Sequence, residues 1–127
     1  MIYTNKPYRN DMECAVMMTA EEVVKRQLET YNARDLEGYL AVFSDDIQTF
    51  KPPELEPAID GKAMLSDFYA TQRFNRPDLR AELINRMVVG NMVIDHERIF
   101  GVNEQPIEMA AVYEVVNGLI RRIWFYS

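Results

Sequence analysis

Met109-Ala-Ala-Val-Tyr-Glu-Val-Val116, Asn117-Gly118 and Leu119-Ile-Arg-Arg-Ile-Trp-Phe-Tyr126 decide the architecture: two apolar-rich runs joined by two turn-forming residues. Asn-Gly between such runs predicts a β-hairpin, because both residues accept the positive φ angles of a two-residue turn. Gly90-Asn91 does the same between Arg80–Val89 and Met92–Phe100. A tight turn sets register, and register decides which side chains share a face. Counting back from Asn117-Gly118 pairs Val116 with Leu119, Glu114 with Arg121, Val112 with Ile123 and Ala110 with Phe125, and these share a face with Glu108. Met109, Tyr113, Ile120, Arg122, Trp124 and Tyr126 take the other face. Around Gly90-Asn91, Met87 pairs with Ile94, Asn85 with His96, Leu83 with Arg98 and Ala81 with Phe100. The opposite face pairs Arg86 with Asp95 and Ile84 with Glu97, a charged set that reads as facing solvent. His96 and Arg98 are therefore expected to point inward with Met87, Ile94 and Phe100.

Upstream of Leu79 the apolar period is near 3.6 instead of 2. Thr19-Ala-Glu-Glu22 is a capping box, and Val24, Leu28 and Tyr31 form the stripe of a helix running to about Ala33. Asp35 caps a shorter helix with Leu36, Leu40 and Phe43 on its stripe. Ser44-Asp-Asp46 ends that helix, and Ile47 to Lys51 reads as a strand. The prolines of Lys51-Pro-Pro-Glu-Leu-Glu-Pro57 enforce a loop. Asp60-Gly61 opens a third helix carrying Met64, Leu65, Phe68 and Tyr69, which closes before Asn75-Arg-Pro77. Helices followed by hairpins give an α+β fold, with three N-terminal helices packed on one face of a curved antiparallel sheet. Residues 1–18 show neither period and read as a flexible arm, or as sequence ahead of a true start at Met12, Met17 or Met18; residues 19–127 form one domain.

Composition narrows the function. The 127 residues suit one domain with a real core, and 48% apolar with 27% charged residues is ordinary globular chemistry. Fourteen basic residues against twenty acidic ones leave no cationic footprint for nucleic acid. Cys14 is the single cysteine, so an internal disulfide and a multi-thiolate zinc site are excluded, and a reduced cytoplasmic setting is the default. The apolar run Cys14–Met18 is too short to serve as a signal peptide or to reach across a membrane. No glycine-rich phosphate loop, paired helical histidines or Gly-x-Ser-x-Gly elbow occurs, and neither a metal nor a cofactor is expected.

The remaining chemistry rests on few residues. His96, the sole histidine, suits a general base or acid with Asn85 opposite to set its tautomer, or else a hydrogen bond at a sheet rim. Arg98 either holds an anionic ligand group or pairs with Glu108 or Glu114. Glu108 is either a pocket carboxylate raised by apolar neighbours or a partner for Arg98. Glu114 with Arg121 reads as a structural cross-strand pair. Lys51 is either a desolvated amine or a solvated one, and Tyr31 and Tyr69 lie on helical stripes. Both sheet faces are apolar, so one lines the interior and the other is expected to be covered by a second copy through Tyr113, Arg122, Trp124 and Tyr126.

Leu28-Glu-Thr-Tyr-Asn-Ala-Arg-Asp-Leu-Glu-Gly-Tyr-Leu-Ala-Val-Phe-Ser-Asp-Asp46, Gly61 with Phe68-Tyr69, Val89-Gly-Asn-Met-Val-Ile-Asp-His-Glu-Arg98 and Ala111–Phe125 follow one another in this order. The succession resembles the SnoaL-like branch of the nuclear transport factor 2-like superfamily over about residues 19–126. The resemblance implies a cystatin-like cone of three helices over a curved sheet, commonly dimeric through the sheet. That superfold hosts isomerases, epoxide hydrolases, polyketide cyclases, dehydratases and non-catalytic modules. Gln27 and Lys51 stand where ketosteroid isomerases carry a tyrosine and an aspartate. Against limonene-epoxide-hydrolase-like enzymes the chain offers Thr49 and Lys51, Arg98 followed by Phe100, and Phe125, so only the arginine matches. The resulting expectation is a cofactor-independent isomerase, dehydratase or cyclase acting on a small apolar oxygenated molecule. His96 would move the proton, Arg98 and Gln27 would hold oxygen, and Glu108 would assist. Tyr31, Phe43, Phe68, Phe100 and Phe125 would wall the pocket, with Thr49, Lys51 and Asn85 as further contacts. The alternative is a non-catalytic ligand-binding or dimerisation module of the same fold.

Overall fold

Thr19 opens the first helix through the reciprocal cap that its sequence encodes. Its hydroxyl accepts from the Glu22 amide at 3.1 Å, and the Glu22 carboxylate accepts from the Thr19 amide at 2.8 Å. The structure, a computed structural model, describes residues 18–127, so the expected arm lies outside the described residues except for Met18. Helix α1 (Ala20–Ala33) ends at a left-handed Arg34, and α2 (Leu36–Leu40) starts where Asp35 accepts from the Gly38 amide. Phe43 belongs to strand β1 (Phe43–Phe50), not to the second helix; its buried ring packs 4.8 Å from the Tyr39 ring. After the proline loop come β2 (Ile59–Asp60) and α3 (Lys62–Gln72), then β3 (Arg80–Val89), β4 (Met92–Phe100), β5 (Ile107–Val116) and β6 (Leu119–Tyr126).

The strands form one curved sheet in the order β2-β1-β6-β5-β4-β3, antiparallel except for β1 against β6. Val23 and Val24 of α1, Tyr39 of α2 and Leu65 of α3 bury against Ile47, Val93, Tyr113, Ile120 and Ile123 of the sheet. Tyr31, Tyr39, Tyr69 and Phe74 form a ring cluster between the helices. The Asn32 side chain pins α1 to β3, donating to the Ala81 carbonyl at 3.0 Å and accepting from its amide at 2.8 Å.

Both hairpin turns form. Asn117 and Gly118 are each left-handed, whereas at the other turn Gly90 alone has positive φ. Two bulges alter the register that the turns start. On β3, Ile84 is extra: Asn85 still faces His96 and Arg86 faces Asp95, but Leu83 pairs with Glu97 and Ala81 with Ile99. On β6, Arg121 is extra, so Glu114 faces Arg122, Tyr113 faces Ile123 and Ala111 faces Phe125. Tyr113 is buried under the helices with Val115 and Ile120, which corrects its expected place on the outer face, and the extra Arg121 separates Arg122, Trp124 and Tyr126 from that buried face. Arg122 accordingly replaces Arg121 as the ion-pair partner of Glu114, at 3.3 Å.

The face assignment of β4 is also corrected. Val93, Asp95, Glu97 and Ile99 are buried, while His96, Arg98 and Phe100 lie on the outer face. The charged face goes inside because Arg86 clamps the buried Asp95 carboxylate with two hydrogen bonds, at 2.7 and 2.9 Å.

Candidate functional site

Between the helices and the concave sheet face lies an open cavity of about 440 Å³. Six residues expected at a ligand site line it: Gln27, Tyr31, Thr49, Lys51, Phe68 and Phe125. Gln27 and Tyr31 come from one face of α1, Thr49 and Lys51 from alternate positions of β1 and its end, Phe68 from α3, and Phe125 from the inner face of β6.

Three other expected contacts lie elsewhere. Phe43 is enclosed in the core behind Tyr39. Asn85 is exposed, and its side chain accepts from the adjacent Arg86 amide. Phe100 sits outside with the Arg80 guanidinium 4.4 Å from its ring centre.

The three residues expected to do chemistry are together, but on the wrong side of the sheet for this cavity. His96 Nε2 and Glu108 Oε2 are 2.5 Å apart, and Arg98 reaches Glu108 at 3.6 Å and Glu82 at 3.3 Å. Their side chains are roughly half exposed, so inward projection of His96 and Arg98 is overturned by the β4 alternation. The hydrogen bond from His96, followed by the Arg98 charge, holds the Glu108 carboxyl below the usual carboxylate range. Glu108 thus has the opposite perturbation from a raised pocket acid.

Glu97 occupies the position that sequence reasoning assigned to solvent. It is 4% exposed, lines the cavity, and finds no hydrogen-bond partner among the described residues. Burial above all, and then the charge of Asp95, pushes its pKa up from 4.5 to about 7, while Arg86 draws it down in part. Three phenols share the cavity with it: Tyr31, Tyr69 and Tyr113. Burial raises all three, which keeps them as neutral donors, and the Glu97 charge acts on each. Gln27 bridges Tyr113 and Tyr39 at 3.5 Å on either side, and the Tyr39 ring packs 4.8 Å from that of Tyr69, so these side chains form one continuous wall. The pairing of Arg86 with Asp95, countable from the turn, was the signal: it neutralises one of two acids on the same strand face, so a charged face need not look to solvent. Among the described residues, no three histidine, cysteine or acidic side chains come together to hold a metal ion.

The sequence profile of the SnoaL-like domain family matches residues 24–123. Solved structures share the fold. A cystatin-fold protein from Novosphingobium aromaticivorans is 23% identical, with TM-score 0.76 over 85% of this chain and 97% of its own. A Kribbella flavida protein assigned as a ketosteroid isomerase is 18% identical, with TM-score 0.72 over 84% and 76%. A Sinorhizobium meliloti protein assigned as a polyketide cyclase is 13% identical, with TM-score 0.71 over 85% and 99%. No curated protein matches the sequence.

Proposed function

The chain belongs to the SnoaL-like domain family, and from that membership and the chemistry of its cavity we propose that it is a cofactor-independent proton-transfer enzyme acting on a small apolar oxygenated molecule. The observation that carries the reading is Glu97, an acid of pKa about 7 on the wall of an open cavity lined by neutral phenols. A carboxyl poised there is half ionised at neutral pH, so it both accepts and returns a proton. With a carbonyl oxygen against the phenol belt, Glu97 removes a proton from the neighbouring carbon. A phenol hydroxyl stabilises the negative charge as it develops on oxygen. Returning the proton to another carbon gives isomerisation, and loss of a hydroxyl gives dehydration. Attack by the carbanion on a second carbonyl gives cyclisation. Two fold neighbours assigned as a ketosteroid isomerase and a polyketide cyclase support this class of chemistry.

Deuterium exchange tests it. Incubated in D₂O with a panel of β,γ-unsaturated ketones and β-diketones, the protein should catalyse exchange that rises with pH through about 7, and Glu97→Gln should lose at least about 100-fold. Ligands that bind without exchange, or exchange retained in Glu97→Gln, would instead support a non-catalytic ligand-binding module.

We also propose that the protein is cytoplasmic and pairs with a second copy over the outer sheet face through Arg122, Trp124 and Tyr126. Trp124 already stacks on Phe50 there, with ring centres 5.8 Å apart. Among the described residues, no helix is long and apolar enough to cross a membrane. Light scattering should give twice the chain mass, and Trp124→Ala should lower it.

A further inference from the structure

The cavity has two electrical ends. Among the described residues lining it, Glu97 carries the only acidic side chain, and Lys51 and Arg73 carry the only basic ones. Glu97 is buried, whereas Lys51 is exposed at the end of β1 and Arg73 is half-exposed at the C-terminus of α3. No acidic side chain among the described residues comes within 4 Å of either cation. Arg73 is nonetheless held in place: its Cζ lies 4.9 Å from the Phe68 ring centre, and one guanidinium nitrogen donates to the Gln72 carbonyl at 2.9 Å. Its charge and that of Glu97 act in opposite directions on the same two phenols, Tyr31 and Tyr69, which therefore lie within reach of both ends.

We propose that Lys51 and Arg73 form an anion-binding mouth, and that the ligand of this cavity is an apolar carboxylic acid bound carboxylate-outward. The inference rests on the proposed small-molecule reading of the cavity and narrows its substrate class. Met64, Phe68 and Phe125 line the same cavity and offer an apolar surface. A ligand entering with its carboxylate last gains both cations and keeps its charge away from Glu97. The reverse orientation sets two acids against each other in a dry site, which is unfavourable. The two cations thus select the ligand and also orient it, presenting its neutral end to the Glu97 carboxyl.

Binding of 2-naphthylacetic acid, its methyl ester and 2-naphthylethanol, measured by calorimetry at low and moderate salt, tests the proposal. The acid should bind at least tenfold more tightly than the two neutral compounds, and that margin should shrink as salt rises. Lys51→Gln, at an exposed position, and Arg73→Gln, at a half-exposed one, should each reduce acid affinity three- to tenfold and leave the ester unchanged. Equal binding of acid and ester overturns the anion mouth but leaves the cavity a ligand site. An acid preference that both variants retain overturns it as well. Binding of none of the three overturns the cavity reading and this inference together.

Discussion

Glu97 makes stability fall as pH rises, opposite to the usual behaviour of a paired carboxylate. In the unfolded chain it ionises near 4.5, while in the fold it keeps its proton to about 7. Between these values the folded state binds more protons, so each step up in pH favours unfolding. Below the lower value the penalty vanishes; above the higher one it is complete, at roughly 3 kcal/mol. Glu97→Gln has no such titration. The variant should therefore be the more stable protein at pH 8, by roughly 2–3 kcal/mol, and the two should converge below pH 5. Urea melts at several pH values decide the matter, and parallel curves would mean that Glu97 is not held neutral by its surroundings. Tyr31, Phe68 and Phe125 were legible as cavity residues from helical stripes and strand position, whereas Gln27, Thr49 and Lys51 were legible only through the resemblance to ketosteroid isomerases and epoxide hydrolases. Glu97 was not. An acid alternating with apolar residues on a strand normally marks solvent, and only the cavity makes burial tolerable.

At the scale of elements, the two turns were readable from Asn117-Gly118 and Gly90-Asn91, and the pairs nearest them formed as counted. Ile84 and Arg121 then break the count, and neither bears the glycine that often betrays a bulge. Each displaces everything beyond it by one residue, which is why Arg122, Trp124 and Tyr126 leave the face of Tyr113 and Ile120 and why Arg122, not Arg121, meets Glu114. Arg86 lies on the turn side of the β3 bulge and so meets Asp95 as counted, and this cross-strand pair is the element that permits a charged inner face. Asp95 is fully buried, so removing its partner strands a carboxylate in a dry environment. Arg86→Met should destabilise the protein by roughly 3 kcal/mol. Adding Asp95→Asn should restore most of that loss, because no charge is then left behind. The same double variant should lower the Glu97 pKa, because the repulsion by Asp95 is larger than the opposing attraction by Arg86, and burial should still hold it above the usual carboxylate range. Carboxyl carbon NMR of Glu97 reads this directly, separately from the melting data.

At the scale of the molecule, the cone departs from the close packing of ordinary interiors. Helices α1 and α3 stand off the sheet far enough to leave about 440 Å³ open, although large aromatic side chains are on hand to close it. Such a hollow sacrifices stability that a filled core would supply, and proteins tolerate this where a ligand occupies the space. Ala81 tests the trade. Its side chain faces the cavity from β3, and Asn32 holds its backbone at both amide and carbonyl, so the strand cannot retreat from a larger residue. In Ala81→Leu the added carbons must enter the open space. If that space is free, the variant should melt at the same temperature or higher, gaining up to about 1 kcal/mol. It should also bind 2-naphthylacetic acid at least tenfold more weakly than the parent. If the space is in fact closely packed, the leucine has nowhere to go, and overpacking should cost the variant about 1–3 kcal/mol. The direction of the stability change therefore separates a ligand chamber from a tight core before any substrate is known.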